Sequence, residues 1–189
     1  MKRIVSLVFA LVLVLSALCG AAAAEKTFKT AYFTLKLPNG WDFDTEDTGV
    51  EEDDEYWREE YLGACYEDKE IGMVLTAYYV YYKDGDLKDI QMWNANDEEL
   101  QEYEEEILDI YRDDDAESLG IVKADRIPFI LIKVTDQDGE YMYAHTMANG
   151  YAIMFYAWIE GADGETIYPI TDKHAKQFKN ILETLQPVI

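Results

Sequence analysis

Apolar and polar positions alternate in several stretches of the chain. Ala31, Phe33, Leu35 and Leu37 share one face of an alternating run, which predicts a strand. Pro38-Asn39-Gly40 is a turn signal, and Trp41 and Phe43 resume the alternation, so the two runs predict a first β-hairpin. Thr45 to about Asp54 reads as an acidic loop. Tyr56 to Tyr66 and Ile71 to Tyr82 read as two extended segments separated by Glu67-Asp68-Lys69-Glu70. From Met73 to Tyr82 the second segment is apolar or aromatic on both faces. A strand of that kind needs cover on both sides, which places it centrally in a three-layer domain. Asp84-Gly85-Asp86 breaks it.

From Asn96 the period becomes helical. Leu100, Tyr103, Ile107 and Ile110 recur on one face with acids between them. Asn96 is placed to cap this helix, with Glu99 at the capping-box position. Asp97, Glu98 and Glu99 suit the positive end of the helix dipole, and Asp113-Asp114-Asp115 suits the other end badly and should stop the helix. Beyond it, Leu119 to Ala124 predicts a short strand and Ile127 to Thr135 a dense apolar one. Asp138-Gly139 and Asn149-Gly150 are hairpin dipeptides, since each supplies positive φ at low cost. They bound strands at Glu140 to Met147 and Tyr151 to Glu160, which with the preceding strand predict an antiparallel meander. Thr171 caps a last helix with Ala175, Phe178, Ile181, Leu182 and Leu185 on its apolar face, and Pro187 follows its end.

The N-terminus changes the picture of where the protein works. Lys2 and Arg3 precede an apolar stretch from Ile4 to Leu18, and Ala22-Ala23-Ala24 offers a cleavage site before Glu25. This pattern predicts a secretory signal peptide over residues 1–24 and a single globular domain over 25–189. The apolar stretch is shorter than the roughly 20 residues of a membrane span. No other stretch is apolar enough to span, so no transmembrane segment is expected after cleavage. Lipidation at Cys19 is the less favoured alternative, because Leu18 stands where such sites carry a small residue. Cleavage leaves Cys65 as the only cysteine, in an apolar-aromatic run where a buried thiol is expected.

Charge adds a second feature. The 189 residues carry 39 Asp+Glu against 16 Lys+Arg, a formal net charge of -23. That balance argues against a nucleic-acid binder built on phosphate neutralisation. With 49% apolar and 14% aromatic residues, it also does not describe a disordered chain. The negative charge concentrates in two segments: 42–60 has 11 acids and one base, and 97–117 has 12 acids and one base. The expected role of these segments is solvation of an exported protein. A cationic protein, a basic peptide or Ca²⁺ at this surface is the sharper expectation.

Leu37-Pro38-Asn39-Gly40-Trp41 after a strand resembles the early signature of PsbP-like proteins, the Mog/PsbP-like fold. The later Gly139-Glu140-Tyr141, Asn149-Gly150-Tyr151 and the closing helix with Phe178, Ile181, Leu182 and Thr184-Leu185 resemble it too. The resemblance spans most of residues 28–186 and lies chiefly in the order of elements. It implies an α+β domain: an antiparallel sheet of about six or seven strands between helices, a three-layer α/β/α arrangement. Members include an extrinsic photosystem protein, a nuclear GTPase-binding protein and bacterial exported proteins without an assigned role. The acidic segments lie outside the pattern, and no residue carries either named function over to this chain.

Motifs of nucleotide-binding, hydrolase and zinc-protease chemistry are absent from the sequence. His145 shares a strand face with Tyr141, Tyr143 and Met147. A Cys65–His145 pair would be the minimum for a thiol nucleophile, but a packed or surface histidine is the stronger expectation. His174 falls in the first turn of the last helix and reads as surface. Asp136-Gln137-Asp138-Gly139-Glu140 opens like a calcium loop, yet Met147 stands where the distal Glu belongs, so a hairpin turn is expected. No catalytic, cofactor or metal residue is therefore assigned, and no cofactor is expected. Tyr78 to Tyr82, Trp57, Trp93 and Trp158 are candidates for a sugar or cation site, against the alternative of core packing. Three classes follow: a non-enzymatic exported binding or accessory domain, which is favoured; a carbohydrate- or cell-wall-binding module using exposed aromatics; and, last, a carboxylate-dependent hydrolase.

Overall fold

A computed structural model describes residues 26–52, 57–83 and 89–188. The expected signal peptide over residues 1–24 and Cys19 lie outside the described residues, as does the Asp84-Gly85-Asp86 break. The fold is α+β, with two sheets and two α-helices among the described residues.

Twelve strands follow in order: β1 (Lys26–Lys29), β2 (Phe33–Leu37), β3 (Trp41–Asp44), β4 (Gly49–Glu52), β5 (Trp57–Glu67), β6 (Ile71–Tyr82), β7 (Asp115–Ala124), β8 (Ile127–Asp136), β9 (Gly139–Ala148), β10 (Tyr151–Gly161), β11 (Ile167–Tyr168) and β12 (Gln186–Pro187). Helix α1 spans Asp97–Ile110 and α2 spans Asp172–Leu182. The large sheet has nine strands in the order β3-β5-β6-β10-β9-β8-β7, with β11 added beside β10 and β4 beside β5. Every pairing in it is antiparallel. The expected meander is β8-β9-β10, and β6 lies inside the sheet between β5 and β10.

The strand count exceeds the six or seven expected, because short strands pair where the sequence shows no alternation. β4 is exposed along its whole length. The expected first hairpin does not form. β2 pairs with β1 and β12 in a separate three-stranded sheet, whereas β3 pairs with β5 in the large one. The chain does turn at Gly40, whose φ is +81°, but it passes from one sheet to the other there.

Alternation divides the large sheet into two faces. Met73, Leu75 and Ala77 of β6 point to one core, shared with Phe28, Phe33, Leu35 and Leu37 of the small sheet and with Phe178, Ile181 and Leu182 of α2. Val80 of β6, Ile130, Ile132, Met147 and Met154 point to a second core, closed by Met92 from a short 3₁₀ turn (Met92–Asn94) and by Leu100 and Ile107 of α1. The first face is thus covered by a mixed layer of strands and helix, and the second only partly, by α1. Burying a ring such as Phe178, which is 0% exposed, contributes about 2–3 kcal/mol. Asn96 caps α1 as the sequence predicts, its side chain accepting from the amides of Glu98 and Glu99 while Glu99 accepts from the Asn96 amide. Among the described residues no helix is long and apolar enough to cross a membrane.

Candidate functional site

Helix α1 lies over β7 and β8 and leaves part of the second face open. A cleft of about 440 Å³ occupies the open part. Its floor is aromatic: Tyr78 of β6, Tyr156 and Trp158 of β10, and Tyr141 of β9. The register explains the grouping. Trp158 pairs with Tyr141 across β10 and β9, and Tyr156 pairs with Thr76 across β10 and β6, so alternate residues of three adjacent strands face the same space. Tyr78 and Tyr156 meet edge to face at 5.6 Å, and Tyr141 and Tyr156 lie 5.9 Å apart. The Trp158 indole N–H donates to Glu160 at 2.7 Å, which fixes the ring.

The rim is acidic. Glu59 of β5 stands on one side, and Asp136, Asp138 and Glu140 of the β8–β9 hairpin on the other. That hairpin is a turn, as expected. Asp136 closes it by accepting from the amides of Asp138 and Gly139 at 2.8 and 3.1 Å. Glu140 accepts from the Ile170 amide at 2.7 Å, tying the segment before α2 to the rim. Ile167 packs over Gly139, whose φ is +134°; a Cβ there would stand 3.0 Å from the Ile167 side chain. No Lys or Arg lines the cleft.

The electrostatics follow from partial burial. Desolvation pushes the Glu59 carboxyl above its ordinary range, and the nearby charge of Glu51 adds to this. Desolvation likewise pushes the Tyr141 phenol up to about 12 and raises Tyr156 and Tyr78. The phenols therefore stay neutral at physiological pH and act as hydrogen-bonding rims on ring faces. A cation entering between Glu59 and the hairpin acids would meet opposite charge and ring faces together.

The candidate residues of the sequence separate into groups. Trp158 and Tyr78 come together in the cleft, along with the hairpin acids, which the sequence marked as a turn. Tyr79 and Trp93 sit in another hollow, of about 460 Å³, with Tyr32 and Tyr151. There Tyr32 stacks on Tyr79 at 3.6 Å and Tyr79 on Tyr151 at 5.8 Å. Tyr82 lines a third cavity, beneath α1. Cys65 and His145 do not meet: Cys65 belongs to the first core and His145 lines the cavity of the second face. Burial pushes the Cys65 thiol up to about 12, away from the reactive thiolate. His174 is half-buried and caps α2, its Nδ1 accepting from the Thr171 amide at 3.2 Å. Glu59 and Thr76 were not singled out by sequence reasoning. Glu59 is one acid among many in its segment, and only the β5–β6 register gives it a distinct place. Among the described residues no group of three or more His, Cys, Asp or Glu is arranged to hold a metal ion.

No family profile matches the chain, and no curated protein matches it. Among solved structures, the chain is similar to cyanobacterial PsbP (CyanoP) from Synechocystis sp. PCC 6803, at 10% sequence identity and a TM-score of 0.43, over 89% of this chain and 96% of that one. No residue role follows from a likeness at this level.

Proposed function

We propose that the chain is an exported, non-enzymatic binding domain whose cleft takes an organic cation, the ammonium or guanidinium group of a basic peptide or protein. The observation that supports this reading is the cleft's lining: four acidic residues, four aromatic rings and no basic residue. Ring faces attract cations within about 6 Å, more strongly when the site is partly desolvated. Opposed carboxylates hold such a group by charge-assisted hydrogen bonds. Export rests on the signal-peptide pattern of residues 1–24. The layering supports the site as well: we read the domain as a sheet between α1 on one side and α2 with the small sheet on the other. The cleft is then the part of the α1 side left open.

The experiment is isothermal titration with a Lys/Arg-rich peptide at rising salt. Binding should weaken as salt rises, and Glu59→Gln with Asp138→Asn should weaken it further at low salt. Affinity indifferent to both changes would reject the reading.

A carbohydrate-binding reading has its own observation. Tyr32, Tyr79, Tyr151 and Tyr81 form a continuous stack beside Trp93, which is 41% exposed. Retention on a neutral polysaccharide that ignores salt and is lost in Trp93→Ala would favour it.

A further inference from the structure

We propose that the cavity beneath α1 is a binding site for Cu(I), held by the thioethers of Met92, Met147 and Met154 and the imidazole of His145. The proposal is independent of the cation cleft, although Tyr156 lines both spaces. The four side chains come from three segments and line one cavity of about 270 Å³. His145 and Met147 are two apart on β9, so they share a face, and Met154 on β10 pairs directly with His145. Met92 reaches in from the 3₁₀ turn. That turn is anchored to the end of β9 by the bridge between Gln91 and Ala148. All four side chains are at most 7% exposed.

The second observation is the imidazole itself. His145 Nδ1 is buried and has no hydrogen-bond partner. Buried polar atoms are normally satisfied, so an orphan beside a cavity points to something that occupies it. The ring lies nearly parallel to Tyr143, 16° between planes at 5.8 Å, which fixes its orientation.

Ligand softness selects the ion. Thioethers and imidazole suit Cu(I), whereas Ca²⁺ and Mg²⁺ require oxygen cages. The cavity offers a single carboxylate, Glu106 at its exposed edge, and no Lys or Arg. One carboxylate and several tyrosine rings match one positive charge better than two. Met154 sulfur already accepts from the Tyr143 hydroxyl at 3.1 Å, which positions it and leaves its other lone pair for a ligand. The other two described methionines, Met73 and Met142, belong to the opposite core, where no histidine is buried with them. They serve as internal controls.

The test is titration of the full-length chain with Cu(I) under ascorbate and without oxygen, against a chromophoric cuprous chelator. A single Cu(I) should be withdrawn from the chelator. Met147→Leu, Met154→Leu and His145→Gln should each weaken binding by about tenfold or more, while Cys19→Ala and Cys65→Ala leave it unchanged. A second measurement needs no variant: in protein labelled at the methionine methyl carbons, Ag(I) as a redox-inert probe should shift Met92, Met147 and Met154 and spare Met73 and Met142. Failure to compete with the chelator would overturn the proposal. So would binding that survives in the Met147→Leu, Met154→Leu double variant, shifts centred on Met73 or Met142, or tighter binding of Zn²⁺ than of Cu(I).

Discussion

His145 makes a sharp prediction about acid stability. Its ring is pushed down to about 4 by burial, from an ordinary value of 6.5. Between these two values the unfolded chain binds a proton that the folded chain refuses. The stabilisation from keeping this ring neutral is complete above pH 6.5, falls away as pH drops from 6.5 to 4, and is gone below. The slope is about 1.4 kcal/mol per pH unit, so the whole effect is about 3 kcal/mol. Domains of this size are stable by only about 5–15 kcal/mol, so such a loss is large. The groups facing His145 do not mask it. Tyr82, Tyr111 and Tyr143 are raised by burial and stay neutral throughout the window. Glu106, on the α1 side, is exposed. Elsewhere, Glu59 is held up and Asp163 is held down to about 2, but both titrate identically in a variant at position 145. The assay is urea unfolding followed by far-ultraviolet circular dichroism, at pH steps from 7.5 to 4, for the parent and for His145→Gln. The parent should lose stability faster than the variant across this window, by about 3 kcal/mol in total. Parallel pH profiles would refute the reasoning, because they would mean that the ring ionises in the folded state without cost.

Other expectations follow from particular contacts. Gly63 has φ +115° at the β5 bulge, and a Cβ there would stand 2.4 Å from the Asp44 carbonyl oxygen, so Gly63→Ala should cost roughly 3 kcal/mol in urea unfolding. Gly40→Ala, with positive φ but open space around it, should cost only about 1 kcal/mol. Asn96→Ala removes both capping bonds at the start of α1 and should cost about 1 kcal/mol by the same measurement. Cys65 should resist a disulfide reagent in the native protein and react on addition of urea, read by mass spectrometry of its peptide; fast native labelling would contradict its burial.

Local patterns were readable from the sequence, whereas pairings between distant segments were not. The cap at Asn96, the two-faced β6 and the turns at Gly139 and Asn149-Gly150 each depend on residues close in sequence, and each stands as expected. β1 carries a single buried side chain, Phe28, too little for an alternation to show. The pairing of β2 with β12 joins opposite ends of the chain, so the turn at Gly40 read as a hairpin when it is a passage between sheets. The cleft has the same origin. Trp158 and Tyr78 were visible as aromatics, but their alignment with Tyr141, Glu59 and the hairpin acids depends on the order β5-β6-β10-β9-β8, which no local pattern encodes.

The role proposed for the aromatic–acidic cleft is recognition of an organic cation. The Trp158 indole N–H, bonded to Glu160 at the cleft floor, reports on this directly by nuclear magnetic resonance. Titration with a Lys/Arg-rich peptide should shift its signal saturably, with the amides of Asp138 to Tyr141 moving alongside and the response shrinking as salt is added. An indole signal that stays still under the peptide, or that moves instead with a neutral oligosaccharide regardless of salt, would contradict the claim.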